Sequence, residues 1–220
     1  MERGVLEDIQ SSDNLLVTFG GILQGFGMPI FEFQNSIKNL ETDKIFIRDF
    51  HQSWYHEGVD DSIDSLNKLS RYLKNIIEQG NYKNITFLGN SMGGYAAIYF
   101  GVQLNVSTII SFSPQTFISN WLRYRHSDKR WQKQIKKTQR SRYYGRETKN
   151  LNKYLRNANY KSQVFLHYSQ NDILDTKHAN FIKERNNVSL KPHVLGDHNL
   201  VKNLRDNGDL IKIIKSSFPN

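Results

Sequence analysis

The sequence predicts an α/β fold in which a mostly parallel sheet carries helices on both faces. Short apolar, β-branched runs recur along the chain, segments of helical spacing separate them, and glycine marks many of the junctions. Strands alternating with helices favour right-handed crossovers. Such a sheet offers ligands the carboxyl ends of its strands.

The run LLVTF at 15–19 reads as a buried parallel strand, and Gly20 and Gly21 end it in a turn that permits unusual dihedrals or close substrate approach. Residues 28–40 suffice for a short crossover helix before the next strand, KIFIRD at 44–49. Val59, Ile63, Leu66, Leu69, Leu73 and Ile76 stand at steps of three and four, which predicts an amphipathic helix over 59–77, stopped by Gly80. NITFLG at 84–89 is a strand that leads into Ser91 and a helix over 92–100, ended near Gly101. Strands at 106–112 and 163–169, a helix at 176–183, a short strand at 190–195 and a terminal helix from Leu200 complete the series. There is no internal repeat of the kind that builds a solenoid.

The 220 residues suffice for one domain with a substantial core, so a single domain is expected over 1–220, interrupted by an insertion at 114–160. That stretch holds thirteen Lys+Arg against two acidic residues, so it carries +11 of a formal net charge of +9 and the remainder sums to −2. Trp121, Tyr124, Trp131, Tyr143, Tyr144 and Tyr154 are interleaved with these cations. Cysteine is absent, which excludes disulfides, thiol catalysis and thiolate metal sites. No stretch is apolar enough to span a membrane, and the first ten residues lack the basic flank and apolar run of a leader, so the expected location is cytoplasmic.

The sharpest local pattern is Gly89-Asn90-Ser91-Met92-Gly93-Gly94, placed after a strand and before a helix. In G-x-S-x-G the glycines let strand and helix pack closely around a strained turn that exposes the serine hydroxyl, while the helix start points N–H groups toward developing negative charge. An ordinary glycine-rich turn is the bland alternative. GNSMGG resembles the nucleophile elbow of the α/β-hydrolase superfamily, and the element order is similar from Leu15 onward. The resemblance implies a serine nucleophile, followed in chain order by an acid and a histidine. Too few residues precede Leu15 for that superfamily's opening antiparallel hairpin, so a reduced sheet is expected.

A serine hydroxyl needs a neighbouring base. His198, in GDHNL after the final predicted strand, resembles the superfamily's catalytic histidine. For the orienting acid, Asp172 in YSQNDILD resembles the acid-bearing loop, with Asp175 as the second candidate. The oxyanion donors implied are the backbone N–H of Met92 and one from the loop after 15–19, at Gly21 or Ile22.

Around this centre, Asp49, Phe50, His51, Trp54, Tyr55 and His56 follow the second strand. Trp54, Tyr55 and His56 are candidate substrate contacts, or equally rings that cover the core. Gln24 and Phe26 are candidates to line the pocket mouth, and Ser113 and Gln115 to form a polar wall. The basic insertion falls where this superfamily often carries a cap. Arg123, Arg125, Arg130, Lys133 and Arg142 there are candidates to attract an anionic substrate, a phosphorylated carrier or a membrane surface, or simply form a solvated face. No nucleic-acid recognition module is visible, and no metal or other cofactor is expected: no H-E-x-x-H occurs, and GNSMGG lacks the lysine and spacing of a P-loop. The expected function is serine-dependent hydrolysis of a carboxylic ester, on a carbohydrate or another polar or anionic molecule, through an acyl-enzyme. An acyltransferase with the same triad and a non-catalytic binding protein that uses the basic insertion are the competing expectations.

Overall fold

The computed structural model describes residues 3–22 and 30–218. Among them one seven-stranded sheet is formed by β1 (Val5–Asp8), β2 (Asn14–Phe19), β3 (Asp43–Ile47), β4 (Asn84–Asn90), β5 (Thr108–Phe112), β6 (Gln163–Ser169) and β7 (Val188–His193), in the order β1-β3-β2-β4-β5-β6-β7. Strands β2 to β7 pair in parallel. β1 lies antiparallel on β3 at the edge. The mostly parallel sheet is as expected, and the antiparallel strand β1, which precedes Leu15, was not.

Helices cover both faces: α1 (Gln34–Ile37), α2 (Leu66–Gly80), α3 (Met92–Gln103), α4 (Asn120–Arg125), α5 (Gln132–Thr138), α6 (Leu151–Asn157), α7 (Ile173–Phe181), α8 (Leu200–Asp206) and α9 (Asp209–Lys215). The period of two in β2 divides its side chains between two cores. Leu15, Val17 and Phe19 join α2 and α3 on one side, and Leu16 joins α8 and α9 on the other.

α2 begins later than expected. Ser65 caps it by accepting from the Lys68 N–H, while Val59 and Ile63 close a separate turn through a Val59 N–H to Ile63 O bond of 2.8 Å. Both residues are apolar and buried or packed on the core, so they kept the helical spacing without being helical.

The insertion holds α4 to α6 between β5 and β6. Its two ends are tied together by Ile118 N–H to Lys149 O and Leu151 N–H to Thr116 O, and it rests on α3 through Tyr95 Oη, which donates to Thr148 O at 2.6 Å. It also reaches the strand ends, where Gln134 donates to Gln52 Oε1 at 3.3 Å. No helix among the described residues is long and apolar enough to cross a membrane.

Candidate active site

Register brings the ends of β2, β4 and β5 level: Phe19 pairs with Gly89, and Asn90 with Phe112. Ser91 follows β4 with φ 54° and ψ −114°, in the left-handed half of the map that β-carbon-bearing residues avoid. The elbow closes because its glycines are bare. A β-carbon on Gly93 would lie 2.0 Å from Phe19 O, and one on Gly89 would lie 2.1 Å from Gly93 O.

Ser91 Oγ lies 2.9 Å from His198 Nε2. His198 Nδ1 lies 2.9 Å from each carboxylate oxygen of Asp175. A neutral imidazole with its proton on Nδ1 thus donates to Asp175 and leaves Nε2 to accept from Ser91. Burial opposes ionisation of Asp175, but the hydrogen bond and charge of His198, together with those of Arg130, outweigh it and hold the carboxyl below the usual aspartate range.

The acid on the histidine is therefore Asp175, which corrects the expectation of Asp172. Asp172 is the N-cap of α7, and its Oδ1 accepts from the Asp175 N–H at 2.9 Å. One helical turn separates the two carboxylates, and the capping role fell to the first. Ligand-type atoms of Asp172, Asp175 and His198 lie within 4.8 Å of one another. Arg130 already places a positive charge on Asp175, however, which opposes a metal ion there.

Gln115 is the wall residue that reaches the nucleophile: its Nε2 donates to Ser91 Oγ at 2.7 Å. Ser113, with φ 42°, turns the chain after β5, and its N–H donates to His167 O. Gly21 stands beside the elbow, where a β-carbon would meet Ser91 Cβ at 3.5 Å. Its N–H donates to Glu32 Oε2 at 2.7 Å, and Glu32 Oε1 accepts from Asn90 Nδ2 at 2.8 Å. Burial raises the Glu32 carboxyl above the ordinary glutamate range against these two hydrogen bonds. Sequence reasoning missed Glu32. Its signal is a carboxylate set between Phe31 and Phe33, both buried.

The comparisons with known proteins fit this geometry. The model of the Uncharacterised protein family UPF0227 matches residues 54–205, more than half of the chain. The chain belongs to this family. No curated protein matches the UPF0227 chain. Among solved structures it is similar to the capsule O-acetyltransferase of Neisseria meningitidis serogroup A, with a TM-score of 0.69 at 14% identity over 96% of this chain and 92% of that one. It is also similar to the fluorophosphonate-binding serine hydrolase FphF of Staphylococcus aureus (TM-score 0.64, 16% identity, 98% and 91% covered). A third similar structure is the Glycosylation Associate Protein complex of Streptococcus agalactiae (TM-score 0.66, 17% identity, 95% of this chain and 43% of that one). These likenesses establish the α/β-hydrolase fold for this UPF0227 member, and the Ser91–His198–Asp175 arrangement is that of a serine-dependent hydrolase mechanism.

Several expected contacts in the UPF0227 chain lie elsewhere. Trp54, Tyr55 and His56 are fully buried, so the core reading replaces the substrate reading for all three. Asp49 is the cause: its carboxylate accepts from the N–H groups of His51, Ser53 and Tyr55 and folds the segment inward, with positive φ at Gln52, Trp54 and Tyr55. Tyr55 Oη donates to Gly20 O at 2.9 Å, and His56 Nδ1 faces the carbonyls of Ser53 and Trp54. Burial pushes His56 down to about 4. Arg123 is also buried and donates to Arg130 O, which removes it from substrate binding. Arg125 is exposed over the Trp121 ring. Gln24 and Phe26 lie outside the described residues.

Proposed function

We propose that this chain cleaves or transfers a carboxylic acyl group on a carbohydrate or another polar, hydroxylated molecule, through an acyl-enzyme on Ser91. The observation that carries the reading is the unbroken relay from Ser91 Oγ through His198 to the buried Asp175 carboxylate. Ser91 attacks the acyl carbonyl as His198 Nε2 takes its proton, and the imidazolium formed is stabilised by Asp175. The tetrahedral oxyanion is received by backbone N–H groups. Met92, at the start of α3, supplies one. Because the Gly21 N–H is satisfied by Glu32, Ile22 is the donor assigned from the loop after β2. Collapse expels the leaving alcohol of an ester, or the thiol of an acyl-CoA donor, protonated by His198, and water or an acceptor hydroxyl then repeats the sequence in reverse.

The transferase reading draws support from the capsule O-acetyltransferase, whose structure has been determined with CoA. The basic insertion suits an anionic acceptor or a phosphate-bearing donor. Hydrolysis of p-nitrophenyl esters from acetyl to long acyl chains tests the chemistry. The expected result is turnover that falls by at least about 10³-fold in Ser91→Ala. Equal turnover in the variant refutes the reading. Acetyl-CoA consumed faster when a hydroxylated glycan is added selects transfer, whereas a rate indifferent to the acceptor selects hydrolysis.

A further inference from the structure

The insertion sends one side chain into the triad. Arg130, between α4 and α5, donates from Nη1 to Asp175 Oδ1 at 2.8 Å. The same guanidinium donates from Nε to Asp128 Oδ1 at 3.2 Å and from Nη2 to Asp128 Oδ2 at 3.3 Å. Its backbone N–H also donates to Asp128 Oδ1, at 2.9 Å. Asp128 Oδ2 in turn lies 3.0 Å from His178 Nε2. The Thr116 N–H donates to His178 Nδ1, so the His178 proton sits on Nε2 and points at Asp128. The side chains of Asp175 and Asp128 are 0% and 3% exposed, and that of Arg130 is 19% exposed.

Two properties follow. Arg130 Nη1 lies 3.3 Å from His198 Nδ1, but both atoms are donors aimed at the same Asp175 oxygen. His198 Nδ1 spans both carboxylate oxygens at 2.9 Å while Arg130 holds Oδ1 from a second direction, and together they fix the carboxylate in place. An unaccompanied arginine would draw charge away from the acid that must stabilise an imidazolium. Asp128 offsets the guanidinium, so Asp175 is held without being neutralised.

We propose that Arg130 is a positioning residue of the triad: it holds Asp175 on His198 and makes serine chemistry conditional on a seated insertion. The proposal rests on the reading of Ser91 as nucleophile. Its test is therefore the rate of covalent labelling by a fluorophosphonate probe, measured beside p-nitrophenyl acetate turnover on the full chain. Arg130→Gln should slow labelling and kcat by about 10²-fold while KM stays within about threefold. Millimolar guanidinium chloride should restore at least about tenfold of that loss, and sodium chloride at equal concentration should not. Arg130→Lys should be intermediate, because one ammonium cannot serve both carboxylates in a plane. Should Arg130→Gln unfold, Asp128→Asn/Arg130→Gln removes the orphaned charge. That pair should recover the thermal midpoint but not kcat. Folded Arg130→Gln with kcat within threefold of wild type, or a double variant that recovers kcat with its midpoint, overturns the proposal. Wild type labelled no faster than Ser91→Ala overturns the Ser91 reading, and this one with it.

Discussion

At the residue scale, Asp172 and Asp175 separate two uses of the same functional group. Asp172 caps the start of a helix and Asp175 holds an imidazole, so replacing each should fail differently. Asp175→Asn should lower kcat/KM by on the order of 10³–10⁴-fold, because an amide cannot hold the Nδ1–H tautomer. Asp172→Ala should cost about 1 kcal/mol of stability through the lost cap, with kcat/KM within a few-fold of wild type. Steady-state kinetics and urea midpoints on both variants check this, and a greater kinetic loss in Asp172→Ala would reverse the assignment. Ser91 and His198 stood out in sequence because each sits in a short, glycine-marked loop. The acid did not, because two aspartates one turn apart satisfy the same loop pattern and only side-chain direction separates them. Glu32 was not legible as a site residue, and Arg130 was read only as one of the insertion's substrate-attracting cations; each reaches the centre across the fold from an element with no motif of its own.

At the element scale, the elbow depends on α3 lying against the loop after β2. Gly93→Ala would press a methyl to 2.0 Å from Phe19 O, and it should destabilise the protein by about 3 kcal/mol. Gly145→Ala, where the nearest atom is 3.9 Å away, should stay within about 0.5 kcal/mol of wild type. Thermal midpoints of the pair test whether close approach, rather than glycine content, is what the motif requires. The predicted strands were legible because each is a short apolar run that ends in a polar or glycine turn. β1 was not: its four residues, VLED, include two acids, and it gains its place from β3 rather than from its own pattern. In the insertion, α4 to α6 are too short for a helical period to emerge from its many cations. If those cations serve recognition, raising ionic strength should increase KM for an anionic ester and leave KM for a neutral ester of the same acyl group unchanged. Equal responses of the two substrates would mean the charge only solvates the surface.

At the scale of the whole molecule, stability should decline with acidification before any carboxylate of the triad is protonated. His56 is buried with its Nε2 unpartnered, and burial holds it down to about 4, whereas the unfolded chain takes up that proton near 6.5. A depressed histidine means the unfolded state binds more protons between those values, so stability falls as pH drops through that window, by about 2 kcal/mol at pH 5. His167, pushed down to about 3 by burial, acts in the same direction. Glu32 and Asp49, both raised by burial, act in the opposite direction. Urea unfolding of wild type and His56→Asn from pH 7 to 4.5 isolates the first contribution: the variant should begin less stable and lose less. Parallel curves would show that His56 is not the group that titrates.

The left-handed backbone at Ser91 also sets reactivity against robustness. Ser91→Ala and Ser91→Gly both delete the hydroxyl, but only alanine keeps a β-carbon in a conformation that disfavours one. Glycine should therefore melt higher than alanine by the equivalent of about 1 kcal/mol. Selection for durability alone would replace this serine with glycine, so a lineage that relinquished the chemistry would be expected to drift toward an inert and sturdier chain.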